Sequence, residues 1–185
     1  MNTMHRGWVS LAVVLLVACG GGGGGSTSNS TTSPSTPPLN SGVHTLSVSL
    51  NQQVTNSFPV NGITFILQLP EGVTIATNAA TDSASIANSS IAWGSAITAP
   101  QLLNGSFTAS TRQVKMHMIN TSIASWMGEF VKLKVTIAPG SNLFNSDFNN
   151  LAISPTLLKV IAVHSSSHST LDVSNQSSLV TRLID

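Results

Sequence analysis

The chain has 185 residues, a formal charge of +1 and charged side chains at 7 %, far below the usual quarter. That balance excludes a basic stripe for phosphates and a polyacidic surface, so nucleic acid is not an expected partner. A single cysteine, Cys19, excludes an internal disulfide, and setting aside the first 41 residues leaves about 145, enough for one domain with a core of its own.

Met1 to Gly7 carries Arg6 and no acid, Trp8 to Val17 is almost wholly apolar, and small residues precede Cys19. This is the order of a secretory signal, with an apolar run too short to span a bilayer comfortably. Leu16-Val17-Ala18-Cys19 resembles the lipobox of bacterial lipoproteins. The resemblance implies that residues 1–18 are a signal peptide and that Cys19 becomes the mature amino terminus, its sulfur carrying diacylglycerol. Two or more acyl chains hold a protein to a membrane, since each buried methylene contributes about 0.8 kcal/mol and one chain holds only marginally. Gly20 stands after the cysteine where an inner-membrane retention signal has aspartate. The expected location is therefore the bacterial envelope, at the outer membrane.

Residues 19–41 read as a tether. Gly20 to Gly25 run into a Ser/Thr/Asn stretch and then Ser33-Pro34-Ser35-Thr36-Pro37-Pro38, with nothing to bury. A flexible chain of this length reaches about 25 Å. The glycine run is no phosphate loop, because no strand precedes it and no lysine follows.

From residue 42 to 185 the pattern has period two. Leu46, Val48 and Leu50 alternate with polar residues, as do Ile63, Phe65, Leu67 and Leu69, then Val114, Met116 and Met118, then Val131, Leu133, Val135 and Ile137. Further strands are predicted at 73–77, 85–93, 157–163 and 173–184. Turns are predicted at Val60-Asn61-Gly62, Leu69-Pro70-Glu71-Gly72, Asn104-Gly105-Ser106 and Ala138-Pro139-Gly140-Ser141. A helical turn fits Asn145 to Asn150, and Thr121 to Met127 is ambiguous. Short, evenly spaced strands without a long 3.6-residue period predict an all-β, two-sheet sandwich of about nine strands.

Asn61 to Val73, Gly128 to Val135 and Leu158 to Val163 resemble, in order and spacing, successive strands of cohesin-like domains. That resemblance implies a jelly roll related to carbohydrate-binding modules, and lone domains of this kind occur in bacterial lipoproteins. It carries over no dockerin-contact residue.

Catalytic chemistry has little to work with. The acids after residue 41 are Glu71, Asp82, Glu129, Asp147, Asp172 and Asp185, mostly at expected turns and strand ends, and no Gly-x-Ser-x-Gly occurs. No catalytic residue, metal ligand or cofactor is expected. His164 and His168 flank a serine loop, where a four-residue spacing does not converge on a metal. In Met116-His117-Met118 alternation turns the histidine away from the methionines. For a glycan the candidates are the tryptophans Trp93 and Trp126, each of which is also a natural core or sheet-edge residue. The chain reads as a non-enzymatic surface lipoprotein that binds a protein or serves envelope assembly, with polysaccharide capture as the alternative.

Overall fold

The structure, a computed structural model, describes residues 36–52, 59–97, 102–119, 127–152, 159–163 and 167–184. Thr36–Asp185 forms a unit of its own. Cys19, Trp126, His164 and Asp185, with most of the ambiguous stretch 121–127, lie outside the described residues.

The architecture is an all-β sandwich of two antiparallel sheets. Sheet A comprises β1 (Gly42–Gln52), β3 (Val73–Ile75), β5 (Ile91–Trp93), β8 (Gly128–Ile137) and β11 (Ser177–Ile184). Its order is β11-β1-β8-β3, and β5 also pairs with β8, further along the edge that β3 occupies. Sheet B comprises β2 (Val60–Gln68), β4 (Ser83–Ser85), β6 (Leu102–Thr108), β7 (Gln113–Ile119), β9 (Lys159–Val163) and β10 (Thr170–Asp172), in the order β10-β9-β2-β7-β6-β4. The remaining regular elements among the described residues are three short 3-10 turns, and no described helix is long and apolar enough to cross a membrane.

Alternation dictates the layers. Leu46, Val48 and Leu50 of β1 and Leu133, Val135 and Ile137 of β8 face Ile63, Phe65 and Leu67 of β2 and Val114, Met116 and Met118 of β7, all buried. Where strict alternation would send Phe130 outward, a bulge intervenes. Val48 pairs with Val131 and Ser49 with Glu129, leaving Phe130 unpaired and turned into the core beside Val131.

Two segments close the sides. On one side Phe148 and Leu151 are buried, Thr181 Oγ1 of β11 donates to Phe148 O at 2.7 Å and accepts from Leu151 N at 3.0 Å, and Ala152 bridges to Leu67 of β2. On the other, Ile86 N donates to Gly105 O and Ala87 N to Ala76 O.

Two expected turns are strand instead. Gly105 sits within β6, paired with Met116, and a Cβ there would lie 2.4 Å from Met116 Sδ and 2.9 Å from Ile86 Cδ1. The glycine makes room for packing and not for a reversal. Val60-Asn61-Gly62 opens β2, with a register shift against β9 that absorbs Asn61. The other two turns form: Gly72 has φ +80° and Gly140 φ +81°, the left-handed region that glycine adopts freely. The expected strand 85–93 is broken by a 3-10 turn at Asn88–Ser90. With β6 and the three-residue β10 also present, eleven strands stand among the described residues against about nine expected. The helical turn expected at Asn145 to Asn150 is a 3-10 turn over Asn145–Phe148. Leu39, placed in the tether by composition, donates its N–H to Leu143 O and packs on the core.

Candidate functional site

The outward side of sheet B is assembled from alternate residues of five strands. One row across it runs Leu102, Ile119, Gly62, Ile161, Asp172, and the next runs Asn104, His117, Thr64, Lys159. Ser106, Lys115 and Ile66 form a third. Leu102 and Ile119 are directly paired and are 53 % and 51 % exposed. Beside them Gly62 presents no side chain, and an added Cβ would meet nothing nearer than Met118 O at 3.6 Å. The missing side chain is not required by packing. It leaves a notch between Ile119 and Ile161.

The second row is polar, and two of its members are bonded to each other. Thr64 Oγ1 lies 3.0 Å from His117 Nδ1, while Met116 and Met118 are buried, as alternation predicts. Lys159 Nζ donates to Asp172 Oδ2, and Ser174 N and Oγ donate to Asp172 Oδ1. The lysine contact foremost, with the serine hydroxyl and amide, holds the Asp172 carboxyl well below the usual carboxylate range.

Trp93 adjoins this face from the other sheet. It ends β5 at the open edge of sheet A, pairs with Val131 and packs partly buried on the core. A hollow of about 360 Å³ is lined by Trp93, Ile91 and Asn88 from that side and by Leu102, Leu103 and Asn104 of β6. Trp93 is thus a half-buried wall with two amides on the rim, not a free platform.

The described acids serve local structure, Glu71 apart. Asp82 accepts from Ser110 N and Oγ at 2.7 and 2.8 Å, and Asp147 from Phe144 N at 2.8 Å. Glu129 accepts from Ser47 Oγ at 2.6 Å, Ser95 N at 3.2 Å and Lys132 Nζ at 3.2 Å. Partial burial raises its pKa, and these three donors together outweigh that and bring it below the ordinary value. Glu71 lines a separate hollow of about 480 Å³ with Gly72, Ser141 and Leu143. His168 has φ +54° in its loop. Among the described residues no three His, Cys, Asp or Glu gather as metal ligands.

The sequence reading missed Leu102, Ile119 and Gly62. Each is unremarkable alone, and only the register of β2, β6 and β7 sets them side by side. No protein-family model, curated protein or solved structure matches this chain.

Proposed function

We propose that this chain is a non-enzymatic lipoprotein of the bacterial envelope, anchored through acyl chains on Cys19 and tethered by the stretch between Cys19 and Leu39, whose cohesin-like jelly-roll domain binds a protein partner through the outer face of sheet B. The observation that carries this reading is the exposed, in-register pair Leu102–Ile119 beside the Gly62 notch. Paired apolar side chains next to a recess, bordered by hydrogen-bonding groups, have the composition of an interface centre and its rim. The outer membrane is the expected location because Gly20 follows Cys19.

The test is site-specific photo-crosslinking in the intact envelope, with the probe at position 119 or, as a control, at Ser178 on the opposite sheet. A discrete protein adduct from position 119 alone supports the reading, and an indistinguishable pattern from both sites refutes it. Gly62→Val, whose Cβ would meet nothing nearer than Met118 O at 3.6 Å, is expected to reduce the adduct several-fold while leaving the fold intact.

A second reading, capture of a polysaccharide, is favoured by the hollow that combines the Trp93 ring with the amides of Asn88 and Asn104. Under it, affinity for a polysaccharide is present and is lost in Trp93→Ala, and position 119 yields no protein adduct.

A further inference from the structure

Although the chain carries only +1 overall, the opposite outer face, that of sheet A, gathers three of its few cations. Strand register sets Ser47 between Lys132 and Arg182, and in the adjacent row Thr45 between Lys134 and Ile184. Of the chain's seven Lys and Arg, Arg6 lies in the leader, and three of the other six occupy these two rows. Glu129 is the one acid on this face among the described residues, and its carboxylate is already held by Ser47, Ser95 and Lys132. Lys134 and Arg182 have no ion-pair partner among the described residues.

The rest of the face is mostly small-chained. Thr74, Thr136, Thr45, Ser49 and Ser178 point outward with Val43, which is 68 % exposed, and Val180. Unpaired cations, short hydroxyls and two protruding valines make a surface suited to a broad anionic plane with an apolar interior. The chain also enters the domain through this sheet: Gly42 at the start of β1 pairs with Ile137, and Leu39 is bonded to Leu143. β1 is a central strand of the charged face and spans about 35 Å, while the preceding tether reaches about 25 Å.

We propose that the outer face of sheet A rests on the anionic headgroups of the bilayer to which the chain is tethered, which turns the Leu102–Ile119 face outward. This rests on the reading of Cys19 as a lipid anchor. Each unpaired cation near an anionic membrane strengthens association about five-fold. A tethered domain needs little more, since its docking is intramolecular at an effective concentration in the millimolar range. The attraction acts within about 8 Å at physiological salt and weakens as salt rises.

The experiment uses the full lipidated chain in vesicles of phosphatidylcholine alone or with roughly one-third phosphatidylglycerol, the anionic fraction chosen to create the surface potential. Lysines are labelled briefly with an amine-reactive reagent and quantified by mass spectrometry. The expected result is several-fold slower labelling of Lys134 in the anionic vesicles, unchanged labelling of Lys115 on sheet B, and loss of the Lys134 protection at high salt or in Arg182→Glu. Equal labelling of Lys134 in both vesicles, or protection that survives high salt, overturns the proposal. Flotation separates it from the anchor reading, because an anchored chain floats with neutral vesicles whatever its orientation. Should the chain not float, the face is read from binding of the free chain to anionic vesicles: binding abolished in the Lys134→Glu, Arg182→Glu double variant supports it, and no binding overturns it.

Discussion

Phe65 of β2 and Phe130 of β8 meet edge to face across the sandwich, with ring centroids 5.5 Å apart and planes at 88°. Both rings are fully buried, so each change removes apolar burial and leaves a cavity between the sheets. We predict that Phe130→Ala costs about 3–5 kcal/mol in urea unfolding. A double-mutant cycle with Phe65→Leu is expected to return a coupling of about 0.5–1.5 kcal/mol. Additive effects would show that the ring contact contributes only its area.

Glu129 gives the fold a pH dependence of known sign. Its pKa in the folded protein lies below the ordinary 4.5, so the carboxylate stabilises the fold at neutral pH, and this contribution is lost as the pH falls from about 4.5 downward. Glu129→Gln is therefore predicted to narrow the gap between urea midpoints at pH 7 and pH 3. An unchanged gap would assign the acid sensitivity to other carboxylates.

Thr181 fastens the closing segment to β11 by acting as donor and acceptor at once. Thr181→Val keeps the shape but leaves a buried carbonyl and a buried amide without a partner, and the expected cost is about 1–3 kcal/mol. Hydrogen exchange of the Leu151 amide is expected to accelerate more than that of amides in β7. Uniform acceleration would mean that the segment unfolds only with the whole domain.

Gly94 is predicted to be intolerant of a side chain for a reason unlike that at a turn. An added Cβ would lie 2.3 Å from Glu129 O and 2.6 Å from Phe130 N, both backbone atoms that cannot rotate away. Gly94→Ala is expected to cost about 1–3 kcal/mol and to weaken the bond from Ser95 N to Glu129. By contrast, Gly62→Val on the exposed face is expected to shift the midpoint little.

The strands that carry long alternation, β1, β2, β7 and β8, were readable because their inward residues repeat every second position and their partners lie on one continuous core. Gly105 misled because a glycine flanked by Asn and Ser has the composition of a turn, whereas its purpose is to admit Met116 and Ile86. Phe130 was equally hidden: alternation counted back from Val131 points it outward, and only the bulge against Ser49 reverses it. The proposed face is harder still to read, since Leu102 and Ile119 become neighbours through pairing between strands. The bond between Ser47 and Glu129 joins residues 82 positions apart, a separation at which local pattern carries no information.

The length of β1 and its two antiparallel partners also have a mechanical meaning. Ladder hydrogen bonds run perpendicular to the strand axis, and β1 is paired with β8 from Gly42 to Leu50 and with β11 from Thr45 to Gln52. If the domain is tugged by a partner while held from its amino-terminal side, tension enters at Gly42 and runs along β1. The bonds of both ladders are then loaded together in shear and do not open one after another, so the strand at the domain's amino-terminal entry is also the one built to bear a pull.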